Sequence, residues 1–349
     1  MPRAVVARSL LSRNCELGHG AKAMLTRVIG EIGRQMTTLT AGYDVTRDLE
    51  SRLSRRRTIE AGIHGHKWKV AHRDSFISWD DIARPVLNTF LKATGLYSRG
   101  VRNALRPIIR YVRLEFEDLP PSFDGFRILH LADLHIDALG GLAEVVAGLV
   151  ASLDVDLCVM TGDYRFKAQG PCDGIYPGMQ RILSTIRTEL SVLGILGNHD
   201  ESEIAIELEN LGVRMLINET AEISRGDESL YVIGVDDPHC YGCDDLDGAL
   251  EGVPEDGFKV LLAHTPEIYE KAARSGIHLY LCGHTHAGQI RLPFIGEVFQ
   301  NTDCPRAYAQ GEWRHDGMLG YTSAGVGCSL VPVRYNCPPE IPVIELASK

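Results

Sequence analysis

The stretch Leu193-Gly194-Ile195-Leu196-Gly197-Asn198-His199-Asp200 sets an apolar run of strand length directly against an amide, an imidazole and a carboxylate. A turn accounts for the glycine and the asparagine, which both tolerate unusual backbone angles. It does not account for the histidine. On its own the tetrapeptide says little; its weight depends on whether other apolar runs in the chain end the same way.

Four others do. Phe126-Arg-Ile-Leu-His-Leu-Ala runs into Asp133-Leu-His135, and Asp156-Leu-Cys-Val-Met-Thr into Gly162-Asp163. Phe258-Lys-Val-Leu-Leu-Ala runs into His264-Thr-Pro-Glu267, and Ile277-His-Leu-Tyr-Leu-Cys into Gly283-His-Thr-His286. The intervening segments, notably 141–153 and 179–190, are compatible with helix. Strands alternating with helices predict an α/β fold with ligands gathered at the carboxyl ends of the strands. A β-rich tail follows, with Gly320-Tyr-Thr-Ser-Ala-Gly325 and Val343-Ile-Glu-Leu346.

Upstream the character changes. Residues 1–120 carry a net charge of +9 and residues 121–349 one of −19, together the −10 of the whole chain. An acidic body argues against nucleic-acid binding and repels phosphates unless metal ions reverse the local charge. The expected division is a basic N-terminal extension over 1–107, partly helical and partly disordered, and a catalytic domain over 108–349. A helix is predicted over about 81–106, opened by Asp80-Asp81, bent near Gly95 and Gly100, and stopped by Pro107. Arg99, Arg102 and Arg106 share one of its faces. That pattern suits either a solvated helix or contact with an anionic membrane. His64, His66 and His72 have no carboxylate or thiol set beside them and read as solvated. The strand beyond Pro107 alternates over Val112-Arg-Leu114-Glu-Phe116. No run of 18 apolar residues is present, so no membrane span is predicted. The nine cysteines are scattered without a disulfide framework. Cys158 and Cys282 read as core, and Cys240-Tyr-Gly-Cys243 as a loop.

The clustered residue types point to metal chemistry. Two divalent ions about 3.5–4 Å apart can share a hydroxide and clamp the oxygens of a phosphate. A bridging carboxylate holds them that close, imidazoles bind them without excess negative charge, and an Asn carbonyl adds a neutral oxygen. Mixed N/O ligands without thiolate suit Mn, Fe, Zn or Mg.

D-x-H, G-D, G-N-H-D, H and G-H-T-H, in this order, resemble the calcineurin-like metallophosphoesterase superfamily over about residues 110–349. The resemblance implies a four-layer α-β-β-α sandwich. It implies that Asp133, His135 and His286 hold one ion, that Asp163 bridges, and that Asn198, His264 and His284 hold the second. It implies that His199 is the non-ligand imidazole near the phosphate and Asp200 its orienting carboxylate. Gly288-Gln-Ile-Arg-Leu-Pro-Phe294, Tyr321-Thr-Ser-Ala-Gly325, Pro332-Val-Arg334 and Cys337-Pro-Pro-Glu340 are similar to a bacterial, often membrane-associated branch. That branch includes phosphodiesterases and enzymes that cleave the diphosphate of UDP-2,3-diacylglucosamine. Most of its members begin with a membrane-spanning or export segment, where this chain has the basic leader.

The expectation is therefore a dinuclear metal-dependent phosphoesterase acting on a lipid-linked phosphodiester or diphosphate. Two divalent ions, Mn first among the choices, serve as cofactors. A cytoplasmic enzyme touching the anionic face of the inner membrane is expected. The alternatives are a soluble nucleotide-type phosphodiester as substrate and a non-catalytic metal-binding scaffold. Arg165 and Arg291 are candidate substrate-phosphate contacts, with surface salt bridges as the plain reading of both, and Arg334 shares that ambiguity.

Overall fold

The computed structural model describes residues 49–63, 79–188, 190–294, 296–297 and 302–349. The three histidines at 64, 66 and 72 and most of the basic leader lie outside them. The described residues form one compact unit.

In chain order the helices are α1 (Leu49–Arg52), α2 (Ser54–Ile63), α3 (Trp79–Ala93), α4 (Leu96–Ala104), α5 (Leu142–Val150), α6 (Tyr176–Leu183), α7 (Ser202–Asn210), α8 (Leu246–Ala249) and α9 (Tyr269–Arg274). Two six-stranded sheets form the centre. The first runs in the order β1 (Ile108–Phe116), β14 (Glu340–Ser348), β2 (Arg127–Leu131), β3 (Leu157–Met160), β4 (Val192–Gly194), β5 (Val213–Met215). The second runs β12 (Gly311–His315), β13 (Met318–Thr322), β9 (Leu279–Cys282), β8 (Phe258–Leu262), β7 (Glu228–Gly234), β6 (Glu219–Arg225). A small hairpin joins β10 (Arg291–Leu292) to β11 (Gly296–Glu297). Strands β2 to β5 are mutually parallel, as are β7, β8, β9 and β13.

The layering follows from the two-residue period of a strand, which sends neighbours to opposite faces. Leu157 and Val159 of β3 face the second sheet, packing with Val260, Leu262, Leu279 and Leu281. Cys158 and Met160 face outward into a core shared with α5, α6 and α7. In the second sheet Leu261, Tyr280 and Cys282 turn outward to α8 and α9. Both faces of each sheet are covered, so the central strands are apolar throughout. Helix α5 buries Leu142, Val146 and Val150. These recur every four residues and lie on one stripe. Full burial of each is worth about 1.5–3 kcal/mol.

The long helix expected over 81–106 is divided into α3 and α4 at Gly95, whose φ of 72° costs glycine less than any residue with a Cβ. Pro107 lies between α4 and β1. The tail supplies β14, which inserts between β1 and β2, parallel to one and antiparallel to the other. Among the described residues no helix is long and apolar enough to cross a membrane.

Candidate metal centre

The parallel strands of both sheets deliver their carboxyl ends to one place. Beyond β2 come Asp133 and His135, beyond β3 Asp163, and beyond β4 Asn198, His199 and Asp200. Beyond β8 comes His264, and beyond β9 come His284 and His286. Three sets of side chains converge there with ligand atoms within 4.8 Å of one another. They are Asp133, His135 and His286; Asp163, His264 and His284; and His135, Asp163 and His199. Asp163 belongs to two of them, its Oδ2 lying 3.5 Å from His135 Nε2 and 3.4 Å from His264 Nε2. Asn198 Oδ1 lies 2.9 Å from His264 Nε2 and 2.8 Å from His284 Nδ1. His135 Nε2 and His286 Nε2 face each other at 3.1 Å.

The turns are strained to achieve this. Asp133, His135, Asp163, His284 and His286 all have positive φ, between 37° and 68°. Such angles in non-glycine residues are uncommon and collect at functional sites. Gly283 leaves room for a carboxylate: a Cβ there would stand 2.4 Å from Asp133 Oδ2.

Two of the outer nitrogens are held by backbone carbonyls, while that of His286 lies 3.2 Å from Arg334 Nη2. His135 Nδ1 lies 2.6 Å from the Arg165 carbonyl and His264 Nδ1 2.8 Å from that of Thr161. A carbonyl can only accept, so each Nδ1 carries a proton, which leaves Nε2 as the ring atom directed at the centre. This is how metal-ligating imidazoles are oriented. Burial of the bare cluster is electrostatically awkward. It pushes Asp133 up to about 7, with Asp163 adding to the rise, and pulls His135 down to about 3. His264 moves to about 10, because Asp163 and Asp133 outweigh the effect of burial. Against its own burial, the imidazoles of His264 and His199 hold Asp163 well below the carboxylate range. Carboxylate and imidazole groups crowded together and shifted this far fit divalent cations, whose positive charge would take the place of the protons that such a cluster otherwise holds. Cys240 and Cys243 belong to none of the three sets.

His199 stands at the rim. Its Nδ1 donates to the Phe166 carbonyl at 2.8 Å and its Nε2 lies 3.9 Å from Asp163 Oδ2. Its orienting partner is thus a carbonyl, which differs from the pairing expected with Asp200. The fully buried Asp200 carboxylate accepts three backbone N–H groups instead. They are those of Asp163 at 2.7 Å, Gly197 at 2.8 Å and Tyr164 at 2.9 Å, so it ties the β4 turn to the β3 turn. Arg165 is buried rather than at the surface. It donates to the carbonyls of His199, Gly170 and Ala168 and pairs with Glu201. Arg334 is likewise buried and braces the carbonyls of Ala324 and Gly327 behind His286. Arg291 is part-exposed and pairs with Glu297 at 3.3 Å. With Arg306 it lines a cavity of about 280 Å³ that reaches Thr285 and Ala287 of the G-H-T-H turn.

A sixth strand end also reaches the centre. Beyond β7 come Asp236, Asp237 and His239. The His239 ring lies 4.6 Å from that of His284, and its Nδ1 is 2.8 Å from Glu267. The signal was present in sequence, since Leu230-Tyr-Val-Ile-Gly-Val running into Asp236-Asp237-Pro-His239 has the same form as the other five.

Comparison with known proteins agrees with this geometry. Residues 126–288 match the family described as calcineurin-like phosphoesterase. Over 241 residues the chain is 30% identical to the uncharacterized metallophosphoesterase YkuE of Bacillus subtilis (strain 168), covering 66% of this chain and 82% of that protein. It is 29% identical over 230 residues to the phosphodiesterase YaeI of Escherichia coli (strain K12), covering 63% and 82%. It is 33% identical over 284 residues to a transmembrane protein with metallophosphoesterase domain of Bos taurus, covering 74% of this chain but only 61% of that protein.

Proposed function

The chain belongs to the calcineurin-like phosphoesterase family and is a phosphoester hydrolase, and from that premise we propose that it cleaves a phosphodiester or diphosphate bond in a lipid-linked substrate. The observation that carries the metal-assisted cleavage is Asp163, one carboxylate shared between two histidine clusters at the meeting of both sheets.

In this proposal Asp133, His135 and His286 hold one ion, Asn198, His264 and His284 hold the other, and Asp163 contacts both. Mn is the ion we expect. Divalent ions bound there supply Lewis acidity toward the phosphoryl group and acidify water. The remaining work falls to the chain. The Phe166 carbonyl fixes the His199 ring so that Nε2 faces the phosphoryl group, where it stabilises charge or protonates the leaving oxygen. Asp200 and Arg165 keep the turn beneath it in place through backbone groups.

Two features support a lipid-linked substrate. Arg291 and Arg306 line the cavity beside the G-H-T-H turn and suit a phosphate or diphosphate head group. Exposed apolar side chains stand on the elements linked to it. Val86 and Phe90 of α3, Leu96 of α4, and Leu292 and Phe294 of the β10–β11 hairpin are all exposed. Tyr335 links the two parts, bonding to the Leu96 carbonyl and accepting the Arg291 N–H at 2.9 Å. Arg84 of α3 lies 5.4 Å over the ring of Phe166, whose carbonyl orients His199, so α3 reaches the loop that carries that carbonyl. Basic Arg99, Arg102 and Arg106 beside exposed apolar groups suit an anionic membrane surface. The substrate class is tested by offering the Mn-loaded chain UDP-2,3-diacylglucosamine, a glycerophosphodiester and a cyclic nucleotide in parallel. Preferred cleavage of the diphosphate supports the proposal. Faster cleavage of the cyclic nucleotide makes the enzyme a soluble-nucleotide phosphodiesterase, and no turnover of any ester favours a metal-binding scaffold.

A further inference from the structure

Helix α2 lies ahead of the first strand, and nothing in the chemistry above uses it. Yet Arg56 at its centre is fully buried and sits against the Gly197-Asn198-His199-Asp200 turn. Its Nη2 donates to the carbonyl of Gly197 at 2.6 Å and to that of Asp200 at 2.5 Å, the first and last residues of the turn. Its Nη1 pairs with the carboxylate of Asp236 beyond β7, in the other sheet. The guanidinium carbon is 3.7 Å from the centre of the Tyr241 ring. One helical turn on, Glu60 accepts the backbone N–H of Ser202 at 2.8 Å and its hydroxyl at 2.9 Å. Ser202 opens α7. Arg56 and Glu60 also face each other at 3.4 Å.

One face of α2 therefore holds residues 197–202 at three backbone groups. A guanidinium suits this task, because its rigid fork serves several acceptors at once. The arrangement is also hard to loosen, since a buried charge that loses its partners is strongly unfavourable. The flanking arginines do other things: Arg55 reaches the Gly242 carbonyl and Arg57 pairs with Glu50.

We infer that α2 is a built-in clamp on the active-site turn, and that Arg56 and Glu60 are positioning residues that set Asn198 and His199. The inference rests on the roles proposed above for Asn198 and His199. Asn198 Oδ1 must sit within 2.8–2.9 Å of two imidazole nitrogens, so small shifts of its backbone matter. A misplacement of about 1 Å can cost about 100-fold in rate.

The test uses the full chain with Arg56→Met, Arg56→Lys and Glu60→Ala, and Val146→Ala on α5 as a core variant away from the turn. Amide hydrogen exchange is read in the metal-stripped protein, and kcat and KM for a chromogenic phosphodiester in the Mn-loaded one. Arg56→Met should speed exchange at residues 197–202 and at Asp163 and Tyr164 by about 10-fold or more while leaving β8 and β9 unchanged. It should lower kcat by about 10–100-fold with little change in KM. Arg56→Lys should recover part of both, and Glu60→Ala should act on the same segment more weakly. Val146→Ala should leave that segment and kcat alone. Wild-type exchange at 197–202 in the Arg56 and Glu60 variants, or loosening spread evenly over the chain, overturns the inference. If Arg56→Met does not fold, Arg56→Lys and Glu60→Ala decide the matter by the same criteria. A wild-type chain that cleaves no phosphoester sinks the proposed function, while the exchange data still judge the clamp.

Discussion

Asp163 lies within 3.5 Å of ligand atoms from both histidine clusters, and its backbone is held by Asp200. Replacing it with Asn keeps the shape and removes the charge. Asp163→Asn should weaken metal loading and activity by more than the ~10–100-fold that loss of an outer-shell partner costs a metal site. Metal analysis after dialysis, beside the rate, checks this. His199→Ala should behave differently, with metal content intact and kcat lower by about 100-fold or more. The pair His239 and Glu267 gives a pH signature. His239 titrates above its usual value because Glu267 outweighs burial, and Glu267 drops to about 2 because His239 does the same. The histidine contribution is full below about 6.5 and fades as pH rises through its folded value; the glutamate contribution is full above about 4.5 and fades toward 2. Both are at full strength only between about 4.5 and 6.5. Glu267→Gln should therefore lower the Tm of the metal-stripped protein more at pH 5.5 than at pH 8.5. Equal losses at the two pH values would refute the pairing. Arg56 shows where sequence reading stops at this scale: it is one of three consecutive arginines, and its acceptors lie 141 to 180 residues away.

Among the elements, the apolar runs ending in ligand residues were legible because each strand is buried on both faces and its loop must leave at the same end. The tail strand β14 was not placed by that logic. Its seat between β1 and β2 is a long-range pairing, and local alternation carries no register for it. The helix break at Gly95 was legible, since glycine takes its positive φ at little cost, but the bend expected near Gly100 does not interrupt α4, which runs through it. The support given to the turns by Asp200, Arg165 and Arg334 was not, because each acts on backbone atoms that no side-chain pattern advertises. Glycines in the ligand turns carry a related constraint. Gly283→Ala would set a methyl 2.4 Å from Asp133 Oδ2 and 2.9 Å from Ala132 Cβ. The variant should fold with a penalty of about 1–3 kcal/mol and bind metal less well. Thermal unfolding with metal titration reads both, and wild-type metal affinity would contradict the crowding.

For the molecule as a whole, the four layers put the candidate ligands at one edge of two facing sheets, while α3, α4 and the β10–β11 hairpin carry exposed basic and apolar side chains. The proposed membrane contact makes a prediction separate from the chemistry. The chain should sediment with vesicles containing anionic lipid, less so as salt rises. The double variant Phe90→Asp, Phe294→Asp should stay in the supernatant while its hydrolysis of a small soluble diester is unchanged. Binding that ignores lipid charge and these substitutions would remove the membrane role and leave the hydrolase. The most direct measurement of the central claim is to strip the chain of metal and add back Mn, Fe, Zn and Mg one at a time. Hydrolysis of a chromogenic phosphodiester is followed in the wild type, Asp163→Ala and His199→Ala. The account predicts no activity without metal, restoration with about two ions bound per chain, and loss in both variants. Full activity in the stripped protein, or in Asp163→Ala with metal, would contradict it.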